Sequence, residues 1–85
     1  MQKQNPLTSI KVVRDIASVF NPEQISQCLE NQIRNETNEC GIYGEHIDIV
    51  NALARAGTIR QLVENGASLT EATRELGRRM RRITE

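Results

Sequence analysis

NPEQISQCLENQIRN, residues 21–35, carries the signals of an amphipathic helix from its first residue onward. Asn21 suits the N-cap, and Pro22 suits the first helical position, where a missing N–H leaves no hydrogen bond unmade. Gln24 stands where a capping box needs it. The apolar residues recur at helical spacing: Ile25, Cys28, Leu29 and Ile33. The stretch therefore predicts a helix that begins at Pro22 and buries one face.

The same kinds of signal predict four further helices, and no stretch alternates with the two-residue period of a strand. The first helix is expected to have Asn5 as its N-cap and Pro6 at its first position. Gly57 is expected to end a third helix of about 45–56, and Gly66 to end a short fourth helix. The residues expected to be buried are Ile10, Val13, Ile16, Ala17 and Phe20 on the first helix, Ile47, Val50, Leu53 and Ala54 on the third, and Ile59, Leu62 and Val63 on the fourth.

Length and composition indicate one helical domain, residues 1–85, with a small aliphatic core. Apolar residues make up 38% of the chain but aromatic residues only 2%, so a buried side chain contributes about 1.5–3 kcal/mol at most. A core of this size is near the lower limit for a chain that folds alone, and a second copy would complete its burial. We therefore expect an all-α, compact bundle of about five short helices that completes its core by oligomerisation.

The charges are balanced in number but unevenly distributed. The net charge is zero, which argues against a dedicated nucleic-acid or membrane binder. Residues 23–48 hold six acids and one arginine, whereas residues 74–82 hold five arginines and one acid. No apolar run approaches the roughly 18 residues of a membrane span, and the start of the chain lacks the apolar segment of a secretory signal. We expect a cytoplasmic protein with no membrane partner.

The last predicted helix separates apolar from basic residues. Ser68 and Glu71 form a capping box at its start. Its apolar stripe is Leu69, Ala72, Leu76, Met80 and Ile83. At about 100° per residue, four arginines fall on the opposite side of the helix: Arg74, Arg78, Arg81 and Arg82. Guanidinium groups bind carboxylates and phosphates alike, so these four residues are the predicted partner-binding surface.

Two functions are compatible with this surface. The first is a small non-enzymatic interaction protein, an adaptor, regulator or assembly subunit, that binds another protein or itself through the arginine-rich helix. The acidic stretch around Glu36, Glu39 and Glu45 would then be a counterpart on a neighbouring copy. The second is a nucleic-acid-binding transcriptional regulator, in which the same arginines contact phosphate.

The second function depends on residues 66–83, GASLTEATRELGRRMRRI, which resemble a degenerate helix-turn-helix at the C-terminal end of the chain. The resemblance covers about a fifth of the chain and departs from the motif after Gly77. A helix-turn-helix needs a turn and a fresh N-cap there, whereas Arg78 and Arg79 favour a continuing helix. We expect the last helix to run unbroken through Gly77.

The remaining reactive residues predict no enzyme, metal or cofactor. Two cysteines are too few for a disulfide scaffold and fit reduced thiols. Cys28 is expected to be a small buried hydrophobe, and Cys40 to be the more exposed of the two. Their spacing with His46 matches no common zinc site. The segment GIYGEHID brings together Tyr43, Glu45, His46 and Asp48, but without a nucleophile placed beside a base it supports no catalytic mechanism.

Overall fold

Four helices make up the part of the chain that the computed structural model describes, residues 9–84, with side chains described for residues 9–81. They are α1, Ile10–Val19; α2, Pro22–Asn35; α3, His46–Glu64; and α4, Leu69–Thr84. No strand occurs between residues 9 and 84. The all-α, compact fold is confirmed, but the described helices number four rather than five. None of them is both long and apolar enough to cross a membrane.

Helix α1 begins later than the sequence predicted. Ser9 is its N-cap, and the Ser9 side chain accepts a hydrogen bond from the Val12 backbone N–H. The expected cap Asn5 and the expected first residue Pro6 lie outside the described residues. The predicted apolar face is confirmed: Val13, Ile16 and Ala17 are buried, and Ile10 and Phe20 pack against the core.

Helix α2 begins with the predicted capping box. The Asn21 side chain accepts from the Gln24 N–H at 2.8 Å, and the Gln24 side chain accepts from the Asn21 N–H at 2.9 Å. Cys28 is buried as predicted, but the prediction for Ile33 is wrong, because its side chain is 58% exposed. The neighbouring Gln32 is buried instead, since the loop after α2 supplies its amide with hydrogen-bond partners.

Helix α3 is one continuous helix where two were expected. Gly57 does not end it, and the hydroxyl of the next residue, Thr58, donates to the Ala54 carbonyl at 3.3 Å within the same helix. A mid-helix glycine costs about 1 kcal/mol relative to alanine, which the burial of the surrounding apolar residues outweighs. A Cβ at Gly57 would lie 3.8 Å from Ile25 Cγ2, an ordinary contact distance, so the packing of α2 against α3 does not require a glycine here. The helix ends at Glu64, before Gly66, as expected.

The buried face of α3 differs from the predicted one. Leu53 is buried as expected, but Ile47 and Ala54 are exposed and Val50 is half-buried. The residues that α3 does bury are Ile49, Ala52, Leu53, Ala56 and Ile59. These residues recur at helical spacing and form one stripe, but this stripe is rotated away from Ile47 and Ala54, because it faces the side on which α1, α2 and α4 pack.

Helix α4 confirms both its predicted start and its continuity. Ser68 and Glu71 exchange the two hydrogen bonds of a capping box, each of 3.0 Å. The helix runs unbroken through Gly77 to Thr84. Ala72 and Leu76 are buried, as expected. Helix α4 packs against both α3 and α1. Some of its side chains therefore lie at the surface along the edge where α4 meets α1.

Candidate binding groove

A groove with a volume of about 550 Å³ runs between α1 and α4. Its apolar surface comes from Ile10, Gly77 and Met80, and its polar rim from Arg14, Thr70, Thr73, Arg74 and Arg81. Gly77 adds no side chain to this surface. A Cβ at this position would make ordinary contacts with two lining residues, at 4.0 Å from Ile10 Cδ1 and 3.7 Å from Arg81 Nη1. The groove therefore combines a narrow apolar floor with a rim of three guanidinium groups.

Two of these guanidinium groups have no acidic partner. Arg14 of α1 and Arg74 of α4 are exposed, and neither forms an ion pair with another residue in the described part of the chain. The hydroxyl hydrogen of Thr73, which also lies at the rim, is already used, because it is donated to the Leu69 carbonyl at 2.7 Å. The positive charges of Arg14 and Arg74 are thus not neutralised by an ion pair with any residue that the structure describes.

The arginines of α4 divide into two groups. Arg74 and Arg81 are seven residues apart, which is about two helical turns, and both line the groove. Glu75 lies about 100° further around the helix. It forms ion pairs with Arg78 at 2.9 Å and with Arg79 at 3.0 Å. These exposed pairs contribute little to stability, about 0–1 kcal/mol, but they place two of the arginines beside a carboxylate on another flank.

Only part of the predicted surface of Arg74, Arg78, Arg81 and Arg82 lines the groove. Arg74 and Arg81 lie at the groove, and Arg78 lies beside Glu75. The side chain of Arg82 lies outside the described residues. Arg14 joins the groove from α1, and sequence reasoning missed it because it searched for arginines along one helix. The pattern of α1 contains Arg14 four residues after Ile10, but nothing in it indicates that α4 packs alongside.

The two cysteines form a disulfide, which corrects the expectation of reduced thiols. Cys28 and Cys40 are bonded to each other, with their Cα atoms 6.2 Å apart. The number of cysteines does not reveal that the loop after α2 folds back onto that helix. The bond also removes the free-thiol argument for a cytoplasmic location, because disulfides persist mainly in oxidising compartments.

The loop between α2 and α3 is organised by Asn38. Its Oδ1 accepts from the backbone N–H groups of Cys40 and Ile42, at 3.0 and 3.2 Å. Its Nδ2 donates to the Ile42 carbonyl and to Gln32 Oε1. Gln32 Nε2 must therefore be the group that faces His46 Nδ1, at 3.0 Å. This arrangement makes Nδ1 an acceptor and assigns the proton of a neutral His46 ring to Nε2.

This network gives His46 a structural role in the one segment that resembled catalytic chemistry. Tyr43 is 84% exposed, while His46 is held through Gln32. Within residues 9–84, no group of three or more His, Cys, Asp and Glu side chains is arranged to hold a metal ion. The groove between α1 and α4 is therefore the stronger candidate site.

Comparison with protein-family models, curated proteins and solved structures finds no match for the chain.

Proposed function

We propose that this protein is a small non-enzymatic interaction protein, an adaptor, regulator or assembly subunit, that binds an acidic, amphipathic segment of a protein partner in the groove between α1 and α4. The observation that carries the proposal is the pair Arg14 and Arg74. They come from different helices, are exposed without an ion pair among the described side chains, and flank an apolar floor.

The chemistry of the groove favours a helix or strand that presents an apolar side chain between carboxylates. An apolar side chain on the floor would displace water from Ile10 and Met80, which favours binding. Each guanidinium fork can hold a carboxylate by two parallel hydrogen bonds. A hydrogen bond to a charged group contributes about 1.5–3 kcal/mol. Amphipathic helices commonly bind proteins by laying an apolar face into such a groove.

Three observations favour a protein partner over a nucleic acid. The net charge is zero, so the long-range field does not attract a polyanion. Aromatic side chains, on which unpaired bases stack, are absent from the groove lining. Helix α4 continues through Gly77, so residues 66–83 lack the turn that a helix-turn-helix needs. Phosphate binding remains the alternative that the experiment distinguishes.

The proposal is tested with a panel of labelled helical peptides in which glutamates flank a leucine. We expect Arg74→Glu to weaken binding by about tenfold or more, because loss of one charged contact removes at least about 1.4 kcal/mol. Arg14→Glu should have a similar effect. The matched control is Arg34→Glu, which makes the same charge change on α2, where Arg34 pairs with Glu30 at 3.0 Å. Its effect on peptide affinity should stay within about twofold, because Arg34 does not line the groove.

Two outcomes would contradict the proposed function. One is equal binding of the peptides by Arg74→Glu and Arg34→Glu, or no binding of any peptide. The other is tight binding of random duplex DNA that falls steeply with salt and is lost in Arg74→Glu, since that behaviour identifies phosphate contacts. Fluorescence anisotropy at low and at physiological salt measures both.

A further inference from the structure

The first turn of α3 presents an exposed apolar side chain and two carboxylates. Ile47 is 62% exposed, although the sequence predicted its burial. Glu45, the N-cap residue of α3, and Asp48 in its first turn lie on either side of Ile47 in the sequence, and both are exposed. Neither forms an ion pair with any residue that the structure describes. We call Glu45, Ile47 and Asp48 the α3 knob.

The α3 knob is the chemical complement of the groove. Its isoleucine matches the floor formed by Ile10 and Met80, and its two carboxylates match the guanidinium groups of Arg14 and Arg74. Isolated exposed apolar residues are common, so exposure alone indicates nothing. Here the exposed isoleucine stands beside two carboxylates that form no ion pair with a described residue, and the groove floor stands beside two arginines of which the same is true, so the charges of the two surfaces are opposite in sign.

The two surfaces have no residue in common and belong to different elements. One copy of the chain can therefore offer both, its groove to one neighbour and its α3 knob to another. Copies with a net charge of zero do not repel one another over long distances, so local charge complementarity directs how they associate. Head-to-tail contacts of this kind build closed rings or open filaments.

We propose that the partner segment is the α3 knob of a second copy of this chain, with Ile47 on the groove floor, and Glu45 and Asp48 against Arg14 and Arg74. This inference rests on the proposed function, because it names the occupant of the same groove. It also gives a physical origin to the oligomer that the sequence predicted, through a polar contact rather than through completion of the core.

Sedimentation velocity of the full chain and its variants tests the inference. Wild type should self-associate, and both Ile47→Lys and the double variant Arg14→Glu/Arg74→Glu should sediment as monomers. The matched control is Ile33→Lys on α2, where the isoleucine is 58% exposed, and this variant should associate like wild type. Ile47→Ser, which adds no charge, should weaken association as well. Circular dichroism should report unchanged helicity in every variant, since all the altered side chains are exposed.

Mixing provides the decisive measurement. The Ile47→Lys variant keeps an intact groove, and the arginine double variant keeps an intact α3 knob, so the mixture should form a 1:1 complex although each alone is monomeric. Failure of the mixture to associate, or a loss of association in Ile33→Lys equal to that in Ile47→Lys, would overturn the inference. A monomeric wild type that still binds acidic peptides in an Arg74-dependent manner would overturn it too, while leaving the proposed function intact.

Discussion

At the scale of single residues, Gly77 makes α4 less stable than an alanine would, but it leaves the floor of the groove open. A glycine inside a helix is less favourable than alanine because it loses more backbone freedom on folding. A Cβ at this position would meet only Arg81 Nη1 at 3.7 Å and Ile10 Cδ1 at 4.0 Å, which are ordinary contact distances. The packing around this position would therefore accommodate an alanine, but only a glycine leaves the groove floor open.

Gly77→Ala should stabilise the protein and weaken peptide binding. The free energy of unfolding should rise by up to about 1 kcal/mol, because the methyl group fits without displacing its neighbours. The same methyl group occupies the floor on which a partner side chain would rest. Urea unfolding and peptide titration measure the two effects.

Gly57→Ala is the matched control for Gly77→Ala. Gly57 also lies inside a helix, and a Cβ there would meet Ile25 Cγ2 at 3.8 Å, but it does not line the groove. Gly57→Ala should change the free energy of unfolding without changing the affinity for the peptide. Destabilisation by Gly77→Ala would contradict the stability prediction, and an equal effect of both substitutions on peptide binding would show that Gly77 does not set the depth of the groove.

At the scale of elements, the loop between α2 and α3 is fixed in two independent ways. The Cys28–Cys40 bond ties its middle to α2. Asn38 ties its backbone and Gln32 together with four hydrogen bonds. The covalent bond restricts the unfolded chain, whereas the hydrogen bonds order the folded one. Loss of either should therefore leave the other in place.

Reduction of the disulfide should destabilise the protein without removing its helices. Closing a loop between cysteines 12 residues apart stabilises a fold by about 2–3 kcal/mol on the loop-entropy estimate. The free energy of unfolding of wild type should fall by that amount when dithiothreitol is added, which lowers the denaturant midpoint, while the helical signal in native buffer stays constant. The Cys28→Ser/Cys40→Ser variant should have the lower midpoint with or without reductant. An unchanged wild-type midpoint, after complete thiol labelling confirms reduction, would contradict this expectation.

The sequence identified the starts of α2 and α4 better than the end and the buried face of α3. The capping boxes at Asn21 and Ser68 were predicted correctly because capping is a local interaction between residues three apart. Gly57 was misread as a helix end, since the burial that carries α3 through it comes from other helices. The face of Ile33 was misread for a similar reason, because the polar loop beside it is not visible in the periodicity of α2.

At the scale of the whole molecule, α3 is the element on which the others depend. It packs against α1, α2 and α4, and its residues Leu53 and Ile59 are fully buried. The groove is a consequence of that arrangement, because α1 and α4 meet while both lie against α3. The partnership of Arg14 with Arg74 is thus a property of tertiary packing. No local pattern in α1 or α4 could have predicted it.

Leu53→Ala should destabilise the protein, and its helices and its groove should then be lost in the same unfolding transition. Truncation of a buried leucine costs about 2.7–5 kcal/mol, a large part of the 5–15 kcal/mol that stabilises a typical small domain. Because α3 contacts every other helix, weakening it should lower the midpoints for helicity and for peptide binding together. Ile47→Ala, on the exposed face of the same helix, should change the free energy of unfolding by less than about 0.5 kcal/mol. Peptide binding that persists after the helical signal of Leu53→Ala has melted would show that α1 and α4 hold the groove without α3.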